Sequence, residues 1–255
     1  MDRNNDTSWE SSSSWYDKIV GTKGHYYHQQ VIIPGILRLL EVEKKTHPYL
    51  LDLACGQGIL SRHLPKGMKY LGIDGSESLI QSAKKYEAKG TSQFFIHDLS
   101  HVLELPYKDF SHATCILAAQ NLAQPGALFR TAYNHLRNQS SFLIVLNHPC
   151  FRIPRQSSWG IDEQKKLQYR RIERYMSSLK IPIQTQPSKQ ESSEQTWSFH
   201  YPLSYYTSQL KQAGFVLDHI EEWCSDKKSV GKTAAMENRS RQEFPLFMTL
   251  IARKI

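Results

Sequence analysis

Short apolar runs alternate with longer amphipathic ones through the middle of the chain: YLLDLA, a turn and ILSRHL; KYLGID, a turn and LIQSAKKYEA; QFFIHD; ATCILAA; ALFRTAYNHL; SFLIVLN. Apolar runs of about four to eight residues suit buried strands, whereas longer stretches with apolar positions three and four apart suit helices. This is the β-α-β rhythm of a parallel sheet crossed by helices, and it predicts an α/β, doubly wound fold. Upstream, Val31, Ile32, Ile36, Leu39 and Leu40 recur at helical spacing around Pro34, which suits a first helical turn, so a helix reaching about Val42 is expected.

The rhythm changes after Asn147. HPCFRIPRQSSWG carries two prolines, EQKKLQYRRIERYMSSL reads as a basic helix, and KIPIQTQPSKQESSEQTW reads as a polar loop. Residues 147–200 are therefore expected to be an inserted substrate cap. Regularity returns with YPLSYYTSQLKQAGF, a helix closed by Gly214, then the strand-like VLDHIEEW and a final strand within FPLFMTLIARKI. Between these last two, residues 225–243 are hydrophilic and long enough for a lid loop. Residues 1–14 are polar and Ser-rich and read as a flexible tail, leaving 15–255 as one domain.

Composition narrows the classes. Of 255 residues, 40% are hydrophobic and 22% charged, which is globular and far from disordered or coiled-coil usage. No apolar run approaches the roughly 20 residues of a membrane span. The first residues lack the apolar centre of a secretory signal. Cys55, Cys115, Cys150 and Cys224 are scattered, without CxxC pairs, so free thiols, no metal site and a cytoplasmic location are expected. The net charge of +8 favours an anionic partner, and the excess is uneven: residues 1–150 sum to +2 and residues 151–255 to +6.

The strongest chemical signal is Leu50-Leu51-Asp52-Leu53-Ala54-Cys55-Gly56-Gln57-Gly58-Ile59-Leu60. A strand runs into a turn with two glycines and then a helix, an arrangement that lets backbone approach a ligand closely. Cys55 is expected to contribute its amide there. The next strand ends in Asp74, where nucleotide-binding α/β folds present a carboxylate to ribose hydroxyls. A dinucleotide fingerprint would need Gly or Ala where Ser61 stands, which weakens NAD. Asp52, just before the turn, suits a ligand carrying an ammonium. Asp98, at the end of the third strand, suits an exocyclic adenine amine.

On these motifs the chain resembles the class I S-adenosylmethionine-dependent methyltransferases from about Ser14 to Arg253. The resemblance implies a seven-stranded, mostly parallel sheet with an antiparallel last strand, and S-adenosyl-L-methionine as cofactor. It implies that Ala54 to Gly58 wrap the methionine part, that Asp74 meets the ribose, that Asp98 and Leu99 lie at the adenine, and that Gly75 and Ala118 also contact the cofactor. Ala54 stands where the family usually has its first glycine. The later NHPCFRIPRQSSW, WSFHYPL, LKQAGF and EEW look like bacterial small-molecule members. Asn147-His148-Pro149-Cys150-Phe151 superficially resembles the turn of amino-directed enzymes, but it follows the fifth strand rather than the fourth, which argues against DNA amino-methylation.

For the acceptor side, His148 and His200 are candidate general bases, His148 preferred because it follows a strand on the ligand-binding edge. Arg152, Arg155, Arg170, Arg171 and Arg174 either grip an anionic group or form a solvated basic helix. Tyr16, Tyr26 and Tyr27 either close over the cofactor or pack in the core. The leading expectation is in-line methyl transfer to a small-molecule acceptor, with an anionic one compatible with the charge. A tRNA or rRNA methyltransferase ranks second, a non-catalytic S-adenosylmethionine-binding protein third.

Overall fold

The computed structural model describes residues 9–10, 12–41, 47–87, 90–184 and 195–255. In chain order these form α1 (Ser13–Val20), α2 (Ile33–Leu40), β1 (Tyr49–Leu53), α3 (Ile59–His63), β2 (Lys69–Asp74), α4 (Glu77–Tyr86), β3 (Ser92–Ile96), β4 (Phe110–Ile116), α5 (Gly126–His135) and β5 (Leu136–Asn147). Two hairpins follow, β6 (Ser157–Asp162) with β7 (Leu167–Ile172), and β8 (Leu179–Gln184) with β9 (Gln195–His200). The chain ends with α6 (Leu203–Ala213), β10 (Val216–Trp223), α7 (Ala234–Glu243) and β11 (Phe247–Arg253).

Seven strands make one sheet in the order β10-β11-β5-β4-β1-β2-β3. β1 to β5 run parallel, and β11 lies antiparallel between β5 and β10. Side chains alternate across the sheet, so each strand feeds two cores. Leu51, Leu53, Phe142 and Ile144 pack with Phe129 of α5 and Tyr206 and Leu210 of α6. Leu50, Leu143 and Val145 face the other way, onto Ile33, Ile36 and Leu40 of α2 and Ile80 of α4. Both faces are covered, as a parallel sheet requires. The strand order reverses between β1 and β4, which opens a crevice at their carboxyl ends.

The second half departs from its sequence reading. Within the segment expected as a basic helix, residues 167–172 form β7, which pairs with β6 before it, Trp159 opposite Arg170 and Ile161 opposite Gln168. Its Glu, Gln, Lys and Arg favour helix only weakly, and cross-strand pairing overrides them. Arg170 donates to the Phe151 carbonyl and the Ser157 hydroxyl, both at 2.7 Å, while its guanidinium lies 5.1 Å from the Trp159 ring centroid. The expected polar loop is β8 and β9; its middle, 185–194, lies outside the described residues. Residues 225–243 are partly α7, which packs on β7 through the Ser240 hydroxyl and the Gln168 carbonyl at 3.0 Å.

At the other end, residues 1–8 and 11 of the expected tail lie outside the described residues, while Ser12 and Ser13 are buried and α1 begins at Ser13. Among the described residues, no helix is long and apolar enough to cross a membrane.

Gly214 closes α6 in the left-handed region at φ 106°, where an added Cβ would stand 2.7 Å from the Tyr133 ring. Gly214→Ala is expected to cost about 1–3 kcal/mol, from left-handed strain plus crowding. Urea unfolding that gives the wild-type midpoint would contradict this packing.

Candidate cofactor and acceptor site

At the carboxyl ends of β1 to β5 lies a cavity of about 1270 Å³. Every parallel strand contributes to its wall: Ala54 after β1, Gly75 after β2, Asp98 after β3, Ala118 after β4, and Asn147 at the end of β5. The wall is completed by α1 and by the β8–β9 hairpin, through Trp15, Tyr16, Ile183 and Phe199.

The turn after β1 passes through the left-handed region three times, at Ala54 (φ 60°), Gly56 (φ 54°) and Gly58 (φ 69°). The Gly56 amide donates to the Asp74 carboxylate at 2.8 Å, and the Ser76 amide donates to its other oxygen at 2.9 Å. Asp74 thus ties the turn after β1 to the start of α4, and its remaining acceptor capacity faces the cavity. Burial pushes its carboxyl up, against the backbone hydrogen bonds that favour the charged form. Gly58 sits where an added Cβ would come 2.7 Å from the Phe94 ring, so this glycine is set by close approach as well as by φ.

Several expected contacts are absent from the cavity wall. Asp52 is 2% exposed, and its oxygens accept from the Tyr70 hydroxyl at 2.6 Å and the Thr114 hydroxyl at 2.7 Å. It braces β1 against β2 and β4 rather than meeting an ammonium. The Cys55 amide donates to the Ile73 carbonyl at 2.9 Å, continuing the β1–β2 pairing, and is committed to the sheet. The Gly58 amide donates to the Cys55 carbonyl at 3.0 Å. Of the expected set, Ala54, Gly56, Asp74, Gly75, Asp98, Leu99 and Ala118 line the cavity, while Asp52, Cys55 and Gly58 stand behind it. Asp98 sits on the rim with both oxygens accepting from Ser100, at 2.8 Å from the amide and 2.7 Å from the hydroxyl.

His148 is not placed as a base. It is 1% exposed and does not line the cavity. Its Nε2 donates to Glu222 at 2.7 Å, and its Nδ1 accepts from the Cys150 amide at 3.2 Å. Both nitrogens are spent on holding the exit of β5 to β10. His200 is similarly engaged, donating from Nε2 to the Tyr175 carbonyl at 2.7 Å. Among the described residues, none of the five expected arginines lines the cavity; Arg171 pairs with Glu173 instead. The cap-side cation on the wall is Lys180, 4.3 Å from the Trp197 ring centroid. No residue of 225–243 reaches the wall. Tyr16 does, while the Tyr26 and Tyr27 hydroxyls bond Asp226 and Ser225 at 3.0 and 3.2 Å.

The covering element is instead the segment read as a tail. Trp9 lines the cavity and meets the Tyr16 ring edge-on at 5.8 Å. The Glu10 carboxylate accepts from the Ser76 hydroxyl, the Ser78 amide and the Ser78 hydroxyl, at the N-terminus of α4. A carboxylate there meets unpaired amides and the positive end of the helix dipole. The sequence signal was a tryptophan in an otherwise polar stretch. His25, His28, Gln120 and Asn121 on the wall carried no comparable signal.

A family described as "Methyltransferase domain" matches residues 24–220, more than half of the chain. Among solved structures, an S-adenosylmethionine-dependent methyltransferase from Mesorhizobium loti is similar with a TM-score of 0.68 and 24% identity, over 92% of this chain and 100% of that one. One from Clostridium acetobutylicum aligns with a TM-score of 0.57 and 19% identity, over 96% and 98% of the two chains. A glycopeptide N-methyltransferase complexed with (S)-adenosyl-L-methionine aligns with a TM-score of 0.56 and 15% identity, over 86% and 93%. No curated protein matches the chain.

Burial pushes the Asp52 carboxyl up to about 6, with the two hydroxyl hydrogen bonds opposing and the Asp74 charge adding to the rise. In the unfolded chain an aspartate titrates near about 3.9, so the folded chain holds a proton that the unfolded chain has released. This contribution to stability is present below about pH 4 and is lost as pH rises towards about 6, at up to roughly 1.4 kcal/mol per unit. Asp52→Asn lacks that slope, so its unfolding free energy relative to wild type should improve between pH 4 and 6. A difference that stays flat with pH in urea titrations would count against it.

Proposed function

The chain belongs to the class I S-adenosylmethionine-dependent methyltransferases, and from that membership we propose that it methylates a small-molecule acceptor held beside the cofactor in the cavity. The observation that carries this reading is the size of the cavity. Pockets for one drug-sized ligand occupy roughly 300–1,000 Å³, and this one, at about 1270 Å³, leaves room for a second molecule.

The wall suits the cofactor. Asp74 offers a carboxylate for vicinal ribose hydroxyls; Leu99, Leu117 and Ala118 offer apolar surface for a purine; Asp98 stands at its edge. The left-handed turn at Ala54 and Gly56 brings backbone to the wall without intervening side chains, where the methionine part would lie. Tyr16 covers Gly56, and Trp9 covers Tyr16. When bound, S-adenosylmethionine supplies a methyl group on a cationic sulfur that is already a good leaving group. What remains for the chain is to align an acceptor behind that methyl and to exclude water, the entropic part of catalysis. Trp9–Val20 and the β8–β9 hairpin provide the enclosure. Lys180 gives an anionic acceptor one cation to meet.

A second reading, RNA as acceptor, is favoured by one observation. Residues 148–184 and 225–243 hold thirteen Lys and Arg against six Asp and Glu, which is nearly all of the net +8. Trp159 and Tyr169 on the same hairpin are 42% and 48% exposed, available for base stacking. If RNA binds this face, its affinity falls steeply with salt. Binding of a tRNA pool by fluorescence anisotropy between low and physiological salt separates the readings, and a flat salt response leaves the small-molecule acceptor alone.

The cofactor assignment is tested by calorimetry with S-adenosylmethionine and S-adenosylhomocysteine. Affinities on the order of micromolar are expected. Asp74→Ala should weaken both about 10- to 100-fold, as the loss of a charged hydrogen bond predicts. Asp52→Asn, behind the wall, should leave them within about threefold. A labelled-methyl screen then seeks the acceptor, and a larger loss of affinity in Asp52→Asn than in Asp74→Ala would mean that Asp52 rather than Asp74 faces the cofactor.

A further inference from the structure

Three polar atoms on the cavity wall, His28 Nδ1, Gln120 Oε1 and Trp9 Nε1, are buried without a hydrogen-bond partner among the described residues. Of these three side chains His28, at 7% exposure, is the one that titratable chemistry could use. Leaving such an atom unpaired costs on the order of 1–3 kcal/mol, so its retention calls for a reason. Gln120, also on the wall, is in the same position: its amide donates to the Leu117 carbonyl at 3.0 Å, while its Oε1 is buried and unpaired among the described residues. The contrast with His148 and His200 is direct, since each of those rings is fixed by a protein hydrogen bond.

The backbone brings His28 to this place by an irregularity. Residues His28–Ile32 form a π-helical turn in front of α2, with the Ile33 amide donating to the His28 carbonyl. Pro34, in the first turn of α2, cannot donate to the turn before it, and the wider turn accommodates it. Gly24, at φ 94°, lies where an added Cβ would be 3.0 Å from His28 Cβ and 3.2 Å from Ile59. Gly24 thus lies close to both His28 and Ile59, the first residue of α3. The titratable groups facing the His28 ring are His25, whose ring centroid is 6.3 Å away, and His63 on α3. Burial, with smaller contributions from both, pushes the ring down to about 4, which keeps it neutral across the physiological range.

Resting on the methyl-transfer reading above, we propose that His28 takes the proton of the acceptor and that the acceptor is a protic nucleophile, carrying its hydrogen on the attacking O, N or S and offering a second donor to Gln120. As the acceptor's lone pair forms the bond to the methyl carbon, the carbon–sulfur bond breaks and its electron pair stays on sulfur. The acceptor's proton passes to the imidazole, which carries the positive charge that sulfur has lost and then releases the proton to water. Atoms and charge balance with no other reactant.

The test has two arms on the full chain. In the first, ¹⁵N-histidine NMR follows the His28 ring with S-adenosylhomocysteine bound, before and after adding phenol, p-hydroxybenzoate, histamine or 2-mercaptoethanol. A ring that is neutral at pH 7 and shifts with at least one of these supports the proposal. A ring that none of them perturbs overturns it. In the second, His28→Gln should keep its S-adenosylhomocysteine affinity within about threefold and lose about 100-fold or more in turnover of whichever acceptor the methyl screen returns. Added imidazole should restore part of the turnover of His28→Ala, a rescue that a structural role would not give. Turnover of His28→Gln near wild type overturns the role of His28 while leaving methyl transfer intact. Loss of S-adenosylhomocysteine binding in both variants overturns it by assigning the residue to the cofactor or the fold. Wild-type protein that binds the cofactor and methylates nothing overturns both readings.

Discussion

The bond from the Gly56 amide to the Asp74 carboxylate is the constraint on which the site depends. It joins the exits of two neighbouring parallel strands, and the same carboxylate accepts the Ser76 amide at the start of α4. A turn with three left-handed residues is costly, above all at Ala54, where a Cβ is present. Such a conformation persists only when its surroundings over-determine it. Here Asp74 holds one side, the Cys55 amide is paired with Ile73 on the other, and Phe94 and Ala83 close the space at Gly58. This part of the cavity surface is therefore held in place by the fold's own hydrogen bonds and packing.

Behind that surface lies a layer whose work is to keep it in place. Asp52 is the clearest member: a carboxylate at the centre of the sheet, held by hydroxyls from both flanking strands, Tyr70 on β2 and Thr114 on β4. Burial makes its charged form expensive, and two neutral donors only partly offset this. His148 does similar work one strand further on, between the end of β5 and Glu222 on β10. In both cases a residue type suited to chemistry is consumed by architecture, and the sign of this is complete hydrogen bonding away from the cavity. Incomplete hydrogen bonding on the cavity wall, at His28 and Gln120, is the complementary sign.

Enclosure comes from two pieces of chain distant in sequence. Trp9–Val20 reaches across from the N-terminus and is pinned by Glu10 to α4, and β8–β9 closes from the cap. The basic β6–β7 hairpin and α7 form a separate layer beside them, joined through Arg239 and Ser240. The segment whose length suggested a lid belongs to that layer, and Trp9, from the stretch read as a tail, lines the cavity.

The alternation of strands and helices and the glycine turn were legible in the chain because their signals are local, while the seven-stranded sheet with its antiparallel last strand was implied by the family resemblance. Strand periodicity, the Gly56 and Gly58 pair and the acidic strand ends at Asp74 and Asp98 are each read within a few residues. What the chain could not disclose depends on contacts between distant segments. Helix-favouring Gln168 to Arg171 became a strand because residues before it supplied a partner, and Glu10, beside Trp9, is held by Ser76 and Ser78 at the start of α4. Whether Asp52 faced ligand or sheet was decided by Tyr70 and Thr114, eighteen and sixty-two residues away. Local propensity amounts to tenths of a kcal/mol per residue, and tertiary pairing and burial outweigh it. The sequence by itself determined the fold and the ligand-binding edge; only the tertiary structure decided which polar side chains on that edge are left free to act.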